Sequence, residues 1–312
     1  MSEARSWIPF ATDTSDLQST AIETAADYWA EKYGNKEFYR REWQCHPYAV
    51  EMRNSLHGGQ HRADWFFDHR MWVKPVKRAL GIGVGLAVDE LHLLARGAAE
   101  HYDLMDISAE GLAQVARTAA SVNLAHRVNC KVADANTAFL GERQYGLITF
   151  MASLHHMDRM EKVLRACERA LEPGGILWAS EYIGPDCFQY PAEHVEHANR
   201  FYRTLDPSVR NKWCPDQVAF PTREEVLAAD PTESLHSSQI EPLMRSIWPD
   251  MEFVGTYGAL AFIVSWTLDH DAIYDTPVGR SEFQRLLAED HRLTDAGELP
   301  HYYAHLIARK PL

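Results

Sequence analysis

From Val76 onward, short apolar runs alternate with longer stretches whose apolar positions return every three or four residues. "RALGIG" is continuous, apolar and short, which predicts a strand, and "LAVDELHLLARG" predicts a helix closed by Gly97. The pair then repeats, with "HYDLMDIS" as strand, "AEGLAQVARTAASVNL" as helix and "RVNCKVADA" as strand. "YGLITFMASLHHM" reads as a strand running into a loop. "DRMEKVLRACERALEPGG" predicts a helix capped by Asp158, with Val163, Leu164, Cys167 and Leu171 on one face and a Pro-Gly-Gly stop. "ILWASEYI" is the strand after it. Strands alternating with helices of this length require right-handed crossovers and a parallel sheet.

The flanks lack that alternation. Thr20 to Tyr33 has a helical period, and Thr20 with Glu23 makes a capping box. The following stretch to Lys77 is rich in aromatics, His and Arg, and reads as short helices and loops. After Gly184 the chain is mostly helical to about Trp248, with a second capping box at Thr222 and Glu225. "MEFVGTYGAL" predicts a strand, Ser281 with Gln284 opens a helix, and "HYYAHLIARKPL" predicts a closing strand. The expected organisation is a helical extension or lid over residues 1–75 and an α/β domain over 76–312. A helical insert at about 185–248 interrupts that domain. It is too long for a simple connection, and its aromatics (Phe188, Tyr190, Phe201, Tyr202, Trp213) read as exposed, so it is expected to wall a pocket or support a homodimer.

Charge narrows the function. With 31 Lys and Arg against 44 Asp and Glu, the net charge of -13 argues against a main role in gripping nucleic acid or anionic membrane. Five scattered cysteines with no CxxC pair read as reduced thiols. The N-terminal stretch has no apolar signal core and no run is long enough to cross a bilayer, so a cytoplasmic enzyme is expected.

"RALGIGVGLAVDEL" places three glycines in five residues where a strand gives way to a helix, as phosphate- or nucleoside-binding crossovers begin. A dinucleotide turn, G-x-G-x-x-G/A, fails in both registers, because Leu86 or Val88 takes the last place. G-x-G-x-G fits at Gly81, Gly83 and Gly85, or at Gly83, Gly85 and Ala87 with the third glycine replaced. Asp106 closes the second strand, where a carboxylate can take both ribose hydroxyls. Asp134 follows the third, where a carboxylate and an adjacent amide can read an adenine edge.

In this order the motifs resemble the class I S-adenosylmethionine-dependent methyltransferases, well over about 76–183 and more loosely in the last strands. The resemblance implies a Rossmann-like, doubly wound, mostly parallel seven-stranded sheet of order 3-2-1-4-5-7-6 with the last strand antiparallel. It implies S-adenosyl-L-methionine as cofactor, with Ile107 beside Asp106, Ala135 beside Asp134, and Met151 closing the fourth strand as further contacts. "GVGLAVDELHLLARG", "MDIS", "SLHHM", "EPGG" and "SEYIGP", with the later "ADPTESLHSSQIEPLM", look like a subgroup associated with glycan and secondary-metabolite biosynthesis. Two departures stand out. The family's acidic residue before the first glycine is absent, Ala79 or Gly81 standing there, and Ala87 replaces the third glycine in one register.

Methyl transfer is an in-line displacement, so the enzyme aligns the acceptor, excludes water and accepts a proton from a hydroxyl. "SLHHMD" puts His155 and His156 where the fourth strand opens onto the cofactor, with His156 favoured as base. Glu181 on the next strand is available to fix its tautomer. Tyr182, Tyr39 and His46 are candidate substrate contacts, along with Trp43 and Tyr48. The basic group Arg40, Arg41, Arg53, His57, His61 and Arg62 suits either a substrate phosphate or a solvated helix face. Asp158 and Asp186 stand where catechol-type relatives hold a metal. Asp158 reads better as a helix cap, and no metal is expected. The expected acceptor is small or sugar-like and methylated at a hydroxyl. N- or C-methylation, a nicotinamide-dependent oxidoreductase and a non-catalytic relative of the fold stay open.

Overall fold

The computed structural model describes residues 20–33, 35–68 and 75–312. The Thr20 cap and the N-terminal stretch before it lie outside the described side chains. Seven strands form one sheet: β1 (Val76–Ile82), β2 (Ala99–Asp106), β3 (Val128–Val132), β4 (Tyr145–Met151), β5 (Leu171–Tyr182), β6 (Glu252–Gly255) and β7 (Tyr303–Arg309). Their order is β3-β2-β1-β4-β5-β7-β6. β1 lies parallel between β2 and β4, with Gly81 opposite Leu104 on one side and Thr149 on the other. β7 runs antiparallel to both β5 and β6. Strands covered on both faces are continuously apolar, which is why β1 and β4 read as runs and not as alternations.

Among the described residues four α-helices precede the sheet: α1 (Thr20–Lys32), α2 (Lys36–Arg41), α3 (Pro47–Ser55) and α4 (Arg62–Phe67). The crossovers are α5 (Val88–Ala95), α6 (Ala109–Ser121) and α7 (Met160–Ala170). The insert contributes α8 (Ala192–Tyr202), α9 (Arg223–Ala229) and α10 (Ile240–Ile247). Between β6 and β7 come α11 (Ala259–Ser265), α12 (His270–Asp275) and α13 (Pro277–Asp295). Among the described residues no helix is long and apolar enough to cross a membrane, and all five cysteines are free.

The structure corrects several local expectations. Asp158 is exposed and does not cap α7, which starts two residues later; Asn136 Oδ1 accepts the Arg159 N–H there at 2.9 Å. α13 opens at Thr276 and Pro277, with Thr276 accepting the Gly279 N–H at 2.9 Å, and not at Ser281. The expected strand "MEFVGTYGAL" stops at Gly255, and α11 follows with all seven residues buried. A helix apolar on every side has no period to read. The Thr222–Glu225 capping box is present.

Apolar packing divides into three clusters. One face of the sheet packs Ile82, Ile148 and Phe150 against α7 and α10. The other packs Leu93, Leu94 and Tyr102 with Phe66, which stacks on Trp178 at 4.0 Å. The third joins the insert to α11–α13 and absorbs Tyr190, Phe201 and Tyr202, expected to be exposed; Trp213 alone of that set is open, at 92% exposure. α4 is pinned to the domain by Arg62, whose Nε and Nη2 reach the two Asp89 oxygens at 3.0 and 2.6 Å.

Candidate active site

The turn after β1 resolves the register of the glycines. Gly83, Gly85 and Ala87 all take positive φ, at +62°, +53° and +51°, so the motif runs Gly83-Gly85-Ala87. Gly81 lies within β1, where a Cβ would come within 2.6 Å of Val84 Cγ1; it packs the turn and stays out of the cavity wall. A Cβ on Gly83 would meet Ser153 Cβ at 2.6 Å, so the turn presses directly against the loop after β4.

Asp106 organises the floor. One carboxylate oxygen accepts the Gly85 N–H and the other the Ser108 N–H, both at 2.8 Å. Burial pushes its pKa up, and those N–H donors oppose the rise. Asp134 Oδ1 accepts both N–H groups of Asn136, backbone at 2.9 Å and side chain at 2.8 Å. Gly83, Gly85, Asp106, Ile107, Asp134, Ala135 and Met151 line one cavity of about 500 Å³. Asn136 belongs to it too, and the motif "DAN" held that signal. Trp29 and Tyr33 of the N-terminal segment form another wall, with rings stacked at 5.9 Å. No spacing in the sequence marked them.

A second cavity, about 490 Å³, adjoins the first. Tyr39 and Tyr182 line it, with Glu42, Arg53, Phe188 and Glu233. The two cavities share Trp29, Tyr39, Arg62, Ala152 and His156. Ala152 holds a left-handed backbone (φ +56°), a strained choice for a side-chain-bearing residue and one that concentrates at functional sites. His46 lies in neither cavity. It caps α3 by accepting the Tyr48 N–H at 3.2 Å, and its Nε2 meets the Ile273 carbonyl.

The histidines differ in surroundings. Glu181, expected to hold His156, instead takes His155 Nδ1 at 2.7 Å, while its other oxygen accepts the Ser153 and Leu154 N–H groups. Burial lowers the pKa of His155, but the Glu181 hydrogen bond and the surrounding carboxylates outweigh it, and the net shift is upward. His156 Nδ1 meets Thr232 Oγ1 at 3.0 Å, and Thr232 Oγ1 donates to Asp230 at 2.7 Å. The Thr232 oxygen must therefore accept, which puts the proton on Nδ1 and leaves Nε2 with a lone pair. Burial, then the neighbouring His155, lower the His156 pKa.

Asp158 and Asp186 are engaged separately, near His236 and with the Ser238 N–H. His155, His156 and Glu233 come together instead, with ligand atoms all within 4.8 Å of one another. Of the basic group, Arg40 pairs with Asp271 and Asp275, Arg41 with Glu37 and Arg62 with Asp89. Arg53 faces the second cavity.

Residues 79–179 match the family described as a methyltransferase domain. No curated protein matches by sequence. Among solved structures, the [4+2]-cyclase SpnF is 19% identical, covering 99% of this chain and 100% of its own, with a TM-score of 0.50. Phosphoethanolamine N-methyltransferase 2 of Haemonchus contortus, bound to S-adenosyl-L-methionine, is 15% identical over 91% of this chain, with a TM-score of 0.52. This chain spans 60% of that enzyme's length. At such identities the likeness is one of fold, and a cyclase on the same fold shows that fold alone does not choose the chemistry. The domain match goes further: residues 79–179 match a methyltransferase domain, so this chain carries the domain of an enzyme.

Proposed function

We propose that the chain methylates a hydroxyl on a small or sugar-like acceptor seated in the second cavity, with His156 as the base. The observation that carries this reading is the meeting of the two cavities at His156. The first cavity suits S-adenosylmethionine in size, in the glycine turn on its wall, and in two buried carboxylates already steadied by backbone N–H groups. In this reading Gly83, Gly85, Asp106, Ile107, Asp134, Ala135 and Met151 hold it. When bound, it supplies an electrophilic methyl on a sulfonium.

The chain's own residues do the rest. His156 Nε2 takes the hydroxyl proton, and Glu233 Oε2, 4.0 Å away, steadies the resulting charge. Glu181 holds His155 and the loop after β4 in place. Trp29 and Tyr33 keep water from the seam. The subgroup reading places the acceptor in glycan or natural-product biosynthesis; its motif "ADPTES" supplies Asp230, Thr232 and Glu233, the residues around His156. The test is incubation with methyl-labelled cofactor and hydroxylated, amine-bearing and carbon-nucleophile acceptors. Label on oxygen is expected; label only on nitrogen or carbon contradicts the reading.

One observation favours a second reading. With both Nδ1 atoms held, by Glu181 and by Thr232, the two Nε2 atoms lie 3.6 and 4.0 Å from the Glu233 oxygens, a donor set that suits a divalent transition cation. Activity lost to a chelator and restored by a divalent cation selects this reading. Activity indifferent to the chelator selects His156 as base.

A further inference from the structure

Arg53 sits in the last turn of α3, half-buried, and lines the acceptor cavity. Arg40, Arg41 and Arg62 all have carboxylate partners, yet the Arg53 guanidinium makes no hydrogen bond or ion pair with any described residue. A guanidinium carries five donors and cannot shed its charge to escape burial. Leaving one unpaired against a cavity is costly unless the cavity's occupant completes it. Asp89, a carboxylate whose charge acts on it, is already bound at both oxygens by Arg62. Of the other carboxylates lining the cavity, Glu181 is held by His155, Asp230 by Thr232, Glu225 by the Thr222 N–H and Asp290 by the Gly258 N–H, while Glu42 is pushed up to about 7 by burial and then by Glu233.

We infer that the acceptor carries an oxyanion, a carboxylate or a phosphate, which Arg53 pairs with in this cavity. This names the substrate class for the site proposed above and relies on that reading for the cavity's role. The fork geometry of the guanidinium fits either anion through two parallel N–H donors. The aromatic walls, including Tyr39, Tyr182 and Phe262, take the apolar body between that anion and the hydroxyl at His156.

The test measures binding and is independent of methyl transfer. Protein saturated with S-adenosylhomocysteine is titrated calorimetrically with para-hydroxyphenylacetate, para-hydroxybenzylphosphonate and the neutral para-hydroxyphenylacetamide. One of the two anions should bind roughly tenfold or more tighter than the amide, and which one does so separates carboxylate from phosphate recognition. Arg53→Gln should abolish the preference, while Arg53→Lys keeps part of it. Unchanged S-adenosylhomocysteine affinity reports that each variant is folded, since Arg53 does not line the cofactor cavity. Equal affinity for anion and amide in the unmodified protein overturns the inference. So does a preference that survives Arg53→Gln, or the absence of binding by every probe at millimolar concentration. Failure to methylate a probe that binds with the expected preference counts against the proposed reaction and leaves the oxyanion site standing.

Discussion

The two cavities are nearly equal in volume and are built in opposite ways. The first draws most of its wall from residues 82–157, the consecutive loops at the ends of β1, β2, β3 and β4. The second collects residues from Tyr28 to His305, out of α1–α4, the insert, α11, α13 and β7. A site made of successive strand ends follows from the sheet's topology, because each crossover returns the chain to the same edge. A site made of distant helices depends on how those helices dock. The difference teaches where this chain keeps a shared function and where it varies an individual one.

Docking of α4 is where that contrast is most easily broken. Asp89→Ala leaves the half-buried Arg62 guanidinium with Ser180 as its remaining hydrogen-bond partner, which should cost about 3 kcal/mol in denaturant unfolding. The double change Arg62→Met with Asp89→Leu should recover much of it. A loss below about 1 kcal/mol for Asp89→Ala would mean the extension is not held by this pair.

The cofactor side is sharpened by Asp106→Ala. Removing a buried carboxylate that can accept charge-assisted hydrogen bonds should cost about 1.5–3 kcal/mol, roughly tenfold or more in S-adenosylhomocysteine affinity by calorimetry. Unchanged affinity would detach Asp106 from the cofactor.

Acid should loosen the seam between extension and sheet. His57 stacks on Trp65 and meets His305 at 3.0 Å; burial, then Arg53, Arg62 and His61, push its pKa from 6.5 down to about 4. The folded protein keeps it neutral while the unfolded chain protonates, so its contribution is complete above about 6.5 and is lost as pH falls toward 4. Allowing for solvent screening, the loss is on the order of 2 kcal/mol. Urea unfolding between those pH values should show a shallower slope for His57→Gln, and an identical slope removes His57 from the account.

The smallest effect belongs to the turn. Ala87 holds a left-handed φ that costs an L-residue about 1–2 kcal/mol, so Ala87→Gly should stabilise by about 1 kcal/mol in the same unfolding assay. A destabilised variant would show that the Ala87 methyl packs more than it strains.

The legibility of the sequence follows the same division. The strands themselves and the placement of Asp106 and Asp134 were readable because periodicity and turn residues are local signals, whereas the order of the strands came only through the resemblance of the motifs to a known family. Gly81 was readable only as part of a cluster; that it packs against Val84 while Gly83 and Gly85 turn is a matter of backbone angle. Asp230, Thr232 and Glu233 lie some 75 residues from His156 in the chain (Thr232 is 76 away) and meet it only after the insert folds back. Glu181 was found, yet its partner is His155, because adjacent side chains on one turn point differently. His46 looked chemical and is a helix cap, a role fixed by Tyr48 and Ile273, which no spacing announces.

Proton removal by His156 at the seam is read from turnover against pH in the unmodified protein and in His156→Ala. Turnover should fall by about 10²–10⁴ in the variant, with S-adenosylhomocysteine affinity nearly intact. The unmodified protein should also show an acid limb below about 6.5, since the lowered pKa keeps Nε2 free until the pH drops beneath the ordinary histidine range, and the variant should show no such limb. Full turnover in His156→Ala, or the same acid limb in both proteins, would contradict proton removal by His156.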